Sequence, residues 1–165
     1  MMWRALAQLL SWGPITRWLL RRAARTPYLH ILSADGYDTY MFRWWLLNPY
    51  PENGGPSRHP WLPFSVRMHR IMRRDYDRHL HDHPWDARTI ILDGFYVERR
   101  EDGCEIVRAP GDTATLRFGE FHRIDHVSPG GVLTLFITWR YQGTWGFLVD
   151  GRKVPHRDYL YHDRP

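Results

Sequence analysis

A chain of 165 residues, 43% of them hydrophobic, is long enough for one domain with a true core. Its formal charge of +5 sits at one end: residues 1–26 carry Arg4, Arg17, Arg21, Arg22 and Arg25 and no acid, while the rest of the chain balances 18 basic against 18 acidic side chains, so no nucleic-acid partner is expected. The single cysteine, Cys104, excludes an intramolecular disulfide and a zinc site built on several cysteines, and fits a reducing, cytoplasmic compartment.

The first unit, 1–26, reads as two short helices over 2–12 and 15–25. Gly13 suits the end of the first and Pro14 the first turn of the second. Gly13-Pro14 and Arg17 break the apolar runs, so none reaches the roughly 18 residues of a membrane span. Trp18, Leu19 and Leu20 lie beside Arg17, Arg21, Arg22 and Arg25. Such a segment either covers one end of a barrel with its arginines in water or touches an anionic membrane surface; the packing role is the commoner use of such a stripe.

From residue 27 to 165 the pattern is that of a β domain. Residues 28–32 and 40–47 read as strands around the turn Ala34-Asp35-Gly36. Residues 48–63 hold five prolines and two glycines and form a loop carrying Trp61, either a lid over a pocket or a solvated connector. Further strands are expected at 64–72, 88–92, 95–99, 105–108, 113–118, 132–139 and 144–149, divided by turns such as Asp93-Gly94 and Pro110-Gly111-Asp112; 156–165 is a polar, aromatic tail. Short strands at this spacing predict an all-β antiparallel sandwich or small barrel. The sequence has no internal repeat, glycine-rich phosphate loop or helix-borne His-Glu-x-x-His.

The concentrated chemistry is His79-Leu80-His81-Asp82-His83-Pro84-Trp85. In an extended segment alternate side chains share a face, so these histidines point one way. Converging imidazoles make a nitrogen-rich transition-metal site. His122, 39 residues after His83 with turns and strands between, supplies a ligand from a third direction.

With these residues in place the chain resembles the cupin superfamily of small β-barrels. The first cupin motif reads His-x-His, three or four residues, Glu, six residues, Gly; placed on His81 and His83 it ends on Gly94, with Ala87 in the Glu position. The second motif puts its glycines on Gly111 and Gly119 and its histidine on His122, with Arg117 in its Pro position and His126 in its Asn position. The stretch around His81-Asp82-His83-Pro84-Trp85 is also similar to a group of small bacterial and phage cupins, and the resemblance covers roughly residues 64–150. It implies a cupin-type jelly roll preceded by short helices, usually paired into a homodimer through edge strands. Without the Glu ligand, His81, His83 and His122 resemble the three-histidine iron site of cupin thiol dioxygenases. That resemblance implies Fe(II), with Zn, Ni or Mn as alternatives, in a mononuclear non-haem iron dioxygenase acting on a small polar substrate. A second register uses His79 and His81 with Asp86 as carboxylate and leaves Gly94 one residue out of place. His126 is an extra ligand or a substitute for the Asn.

Around this set, Asp82 faces away from its neighbours and is expected in solvent. Asp86 either orients a ligand histidine or is a surface hairpin carboxylate. Trp85 covers the pocket or stacks on a substrate. Arg117, Arg140 and Tyr141 are candidates to bind an anionic substrate group, since arginine pairs carboxylates in a fork. Tyr96, Phe136 and Trp139 are expected in the core, and Cys104 in an outer strand. The alternative to an enzyme is a non-catalytic cupin module whose pocket binds a small molecule or a partner protein. A metal-independent sugar epimerase of the same fold ranks last, because no spacing singles out its His–Asp base and Tyr.

Overall fold

The computed structural model describes residues 1–26, 30–32, 38–51 and 55–162. Two helices, α1 (Met2–Leu10) and α2 (Gly13–Ala23), precede the strands β1 (Ile31–Leu32), β2 (Thr39–Leu47), β3 (Ser65–Ile71), β4 (Trp85–Asp93), β5 (Tyr96–Arg100), β6 (Glu105–Arg108), β7 (Thr113–Leu116), β8 (His122–Val127), β9 (Val132–Tyr141), β10 (Gly146–Val149) and β11 (Arg152–Pro155), and α3 (His156–His162) follows them. All strand pairs are antiparallel. The expected turn at Ala34-Asp35-Gly36 and the start of the expected first strand, 28–29, lie outside the described residues.

One wall of the jelly roll has the strand order β1-β2-β3-β9-β4-β7. The other is the sheet β6-β5-β8 and the hairpin β10–β11, joined through His81, which bridges to His122 on one side and Phe147 on the other. Alternation along β3, β9 and β4 divides their side chains between two faces. Val66, Met68, Ile90, Leu92, Leu133, Leu135 and Ile137 form a cluster with Ala7, Leu19 and Ala23 of the helices. The helix pair therefore covers the outer face of the large sheet. The opposite face, carrying Arg67, His69, Ile71, Val132, Thr134, Phe136, Thr138, Ala87, Thr89 and Ile91, looks into the barrel.

Ile71, Ile91, Tyr96, Ile124 and Val132 close one end of that interior; Ala87, Leu116, Phe136 and Trp85 pack toward the other. Tyr96, Phe136 and Trp139 belong to these packed clusters, as expected. Three elements had no clear sequence signal: β8, β11 and α3. Cys104 is exposed in the turn before β6 rather than within a strand. Gly94 has φ of 71°, and a Cβ there would sit 2.4 Å from the Gly131 carbonyl oxygen, so the β4–β5 turn has room only for glycine.

Candidate metal centre

The histidine segment is held in extended form from both sides. His81 N–H donates to the His122 carbonyl (2.8 Å) and His122 N–H returns the bond (2.9 Å). On the other edge Asp82 N–H donates to the Gly146 carbonyl (3.0 Å) and Leu148 N–H to the Leu80 carbonyl (2.8 Å). A strand pinned this way sends alternate side chains to opposite faces. His81 and His83 go inward and meet His122 from β8, with one donor nitrogen from each of the three within 4.8 Å of the others.

Asp82 goes outward, but not into water. It is wholly buried, and its carboxylate accepts the Gly146 N–H (2.7 Å) and the Lys153 ammonium (2.5 Å). The expectation that it would be solvated is thus corrected: the β10–β11 hairpin folds over that face and Asp82 fastens it.

The donors are chemically ready for a cation. Burial pushes His81 down to about 4 against the opposing pull of Asp75, and burial with neighbouring positive groups lowers His83 well below its ordinary value. Both are neutral imidazoles near pH 7, with lone pairs to give. Nε2 of His83 and Nε2 of His122 stand 2.9 Å apart. Two nitrogens each about 2.1 Å from one ion and at right angles to one another would stand about 3 Å apart, so this pair suits a shared metal.

Behind the donors lie two carboxylates that sequence reasoning missed. Glu98 of β5, 1% exposed, brings Oε1 to 3.1 Å from Nδ1 of His122, within ion-pair range though too bent for a hydrogen bond. Burial pushes the Glu98 carboxyl up, but contact with His122 and the Arg100 and Arg108 guanidiniums outweighs it and holds the group down at about 2. Asp75 lies 3.8 Å from Nδ1 of His81; it also accepts the Tyr40 hydroxyl and the Ile124 N–H. Both carboxylates stand on the Nδ1 side of their rings, the side from which an accepted Nδ1–H leaves Nε2 for an ion. The only sequence signal for Glu98 was an acid at an inward position of a strand that pairs with the His122 strand.

Trp85 stacks on His83 with ring centres 4.9 Å apart, and Phe136 meets His83 edge-on at 5.9 Å. The remaining candidates are elsewhere. His79 pairs through Nδ1 with the Tyr159 hydroxyl at 3.0 Å. His126 is exposed beside Phe95. Asp86 accepts the Phe118 N–H at 2.8 Å, the hairpin role rather than that of a ligand or a ring-orienting group. Arg117, Arg140 and Tyr141 are exposed and do not join the buried cluster. Ala87, in the cupin Glu position, is wholly buried and offers no ligand. From the loop 48–63, Trp61 stays 78% exposed, and it is Tyr50 that reaches inward, its ring 4.8 Å from that of Trp45.

No protein-family model and no curated protein matches the sequence. Solved structures do match the fold. The DMSP lyase DddQ from Ruegeria pomeroyi aligns over 88% of this chain and 68% of its own, at 15% identity and a TM-score of 0.58. A cupin-2 domain from Rhodospirillum rubrum aligns over 81% of this chain and 78% of its own, at 15% identity and a TM-score of 0.51. HppE in its FeII form aligns over 71% of this chain and 57% of its own, at 12% identity and a TM-score of 0.50. The chain spans 64% of one DMSP lyase structure it matches and 68% of another. At these identities the likeness is one of fold.

Proposed function

We propose that this chain, a cupin by its fold, is a metal-dependent enzyme: a mononuclear non-haem iron oxygenase or dioxygenase acting on a small polar substrate. The observation that carries the proposal is the convergence of His81, His83 and His122 with no carboxylate among the donors. Three imidazoles on one side of an ion leave its other positions open to substrate and dioxygen. When bound, the metal would supply the redox chemistry. The chain's own contribution is to hold and shield: Glu98 and Asp75 orient His122 and His81, and Trp85 and Phe136 dry the space beside His83. The FeII form of HppE supports an iron reading by fold likeness, and the DMSP lyases make a lyase the second reaction class to test.

Elemental analysis of the native protein after anaerobic loading with Fe(II), beside His81→Ala and His122→Ala, tests the site. One transition metal per chain that disappears from both variants is expected; a folded native protein that takes up no metal refutes the reading and leaves a binding module. Oxygen consumption over a panel of small polar substrates then separates oxygenase from lyase. A cytoplasmic homodimer paired through exposed strand edges such as β6, where Val107 is 61% exposed, belongs to the same proposal, and sedimentation equilibrium tests the dimer.

A further inference from the structure

Arg67 sits on β3 facing the barrel interior and is only 5% exposed. Its guanidinium carbon lies 5.2 Å from the Trp45 ring, 5.5 Å from Tyr50, 5.3 Å from Trp85 and 5.7 Å from Phe136. Among the described residues no carboxylate lies within ion-pair distance of it, and its Nε and Nη2 have no hydrogen-bond partner. Each aromatic face stabilises a desolvated cation by about 2 kcal/mol, which offsets part of the several kcal/mol lost on removing it from water, but no ring face replaces the hydrogen bonds that the in-plane N–H groups of Nε and Nη2 have lost. An arginine cannot escape by losing its proton.

Which atoms are orphaned is informative. Nε and Nη2 share one edge of the guanidinium, and their N–H bonds run parallel, the fork that the two oxygens of a carboxylate match. Two further inward polar atoms lack partners: Nε2 of His69, two residues along β3 and stacked on Phe136 at 5.0 Å, and Oγ1 of Thr138, which faces Ser65 across the β3–β9 pair. Phe136 and Trp85, which flank Arg67, are the rings that pack on His83. The unsatisfied donors thus lie one aromatic ring away from the three-histidine group.

We propose that Arg67 grips the carboxylate of a small organic acid, with His69 and Thr138 completing the polar lining, so that the rest of the acid extends past Trp85 and Phe136 toward His83. This names the substrate class for the metal site and rests on that site's proposed role. Its test separates the two. Propionate and its neutral isostere propionamide are titrated into metal-loaded full-length protein, read by quenching of the Trp45 and Trp85 fluorescence and by thermal shift. The proteins compared are native, Arg67→Met, Arg67→Lys and His81→Ala.

Propionate is expected to bind native protein in preference to propionamide. Arg67→Met should weaken propionate by about ten- to a hundredfold, the worth of a charge-assisted hydrogen bond, and Arg67→Lys, which keeps the charge but not the fork, should fall between. Arg67→Met should fold at least as well as native protein, because an apolar side chain replaces a stranded charge, and should keep its full metal content. His81→Ala should lose metal yet keep propionate. Equal response to propionate and propionamide, or propionate binding unchanged in Arg67→Met, overturns the assignment even when metal is bound. Arg67-dependent propionate binding in a native protein that takes up no metal upholds the carboxylate site and refutes the metal reading alone.

Discussion

Replacing the partly exposed Lys153 by Met should destabilise the protein more than replacing its buried partner Asp82 by Asn. Asp82 is fully enclosed between two inward-facing histidines and has two donors, the Gly146 N–H and the Lys153 ammonium, whereas Lys153 keeps 31% of its side chain in solvent. Lys153→Met strands a carboxylate with one N–H for company, a loss of about 3–5 kcal/mol. Asp82→Asn keeps an acceptor for Gly146 and releases an ammonium that can turn to water, a loss of about 1–2 kcal/mol. The double variant removes both charges and should lose about as much as Asp82→Asn alone, which leaves a coupling of about 3–5 kcal/mol. The assay is urea unfolding followed by tryptophan fluorescence, with a thermal check: at this chain length 4 kcal/mol lowers Tm by about 8–16 °C. If Lys153→Met costs less than about 1 kcal/mol, like an ordinary surface pair, or if the two single losses simply add, Asp82 does not fasten the hairpin.

Gly94→Ala should cost more than about 3 kcal/mol or abolish folding, since the added Cβ meets the Gly131 carbonyl oxygen, whereas Gly119→Ala, with φ of 81° and open space around it, should cost about 1–2 kcal/mol in urea unfolding. Glu98→Gln should lower metal affinity about 10- to 100-fold in chelator competition while leaving the fold intact. Glu98 has a folded pKa of about 2 against an ordinary 4.5, so its contribution to stability is present above pH 4.5 and fades as pH falls through 2; acid titration of metal-free native protein should show a steeper loss in that window than Glu98→Gln. Leu19→Ala, 6% exposed under the large sheet, should cost about 2–4 kcal/mol, and Trp18→Ser, 58% exposed, within about 0.5 kcal/mol, by the same unfolding assay.

The sequence makes the local part of this site legible and hides the rest. Alternation at His81 and His83, a glycine at each turn and the β-branched runs of β4 and β9 are short-range signals, and they place two histidines on one face. The pairings that finish the site join residues far apart in the chain: Asp75 to Ile124 across 49 positions, Glu98 to His122 through the β5–β8 pair, Asp82 to Lys153 across 71 positions. None of these acids has a neighbour in sequence that marks it as buried. Asp82 misleads because alternation shows which face it takes and not what covers that face. Arg67 has no sequence neighbour that marks it as buried; its surroundings are the rings of Trp45 from β2, Tyr50, Trp85 from β4 and Phe136 from β9. The exposed Arg117, Arg140 and Tyr141 were attractive as anion binders for their chemistry alone; the strand ends carry them outward.

The helix pair on the outer face of the large sheet also sets an order of events during synthesis. The cluster that α1 and α2 share with the large sheet includes Leu133, Leu135 and Ile137 of β9, the central strand, which is made after eight other strands. Roughly 110 residues separate Ala23 from Leu133, so at about 5–20 residues per second the helices wait on the order of ten seconds at the ribosome before their resting place is complete. Through that interval Leu19, Ala23 and their neighbours have only the earlier strands, β2 and β3 first, to cover. The five arginines of the same segment, unopposed by any acid, give each nascent chain a like charge that keeps it from its neighbours until β9 arrives.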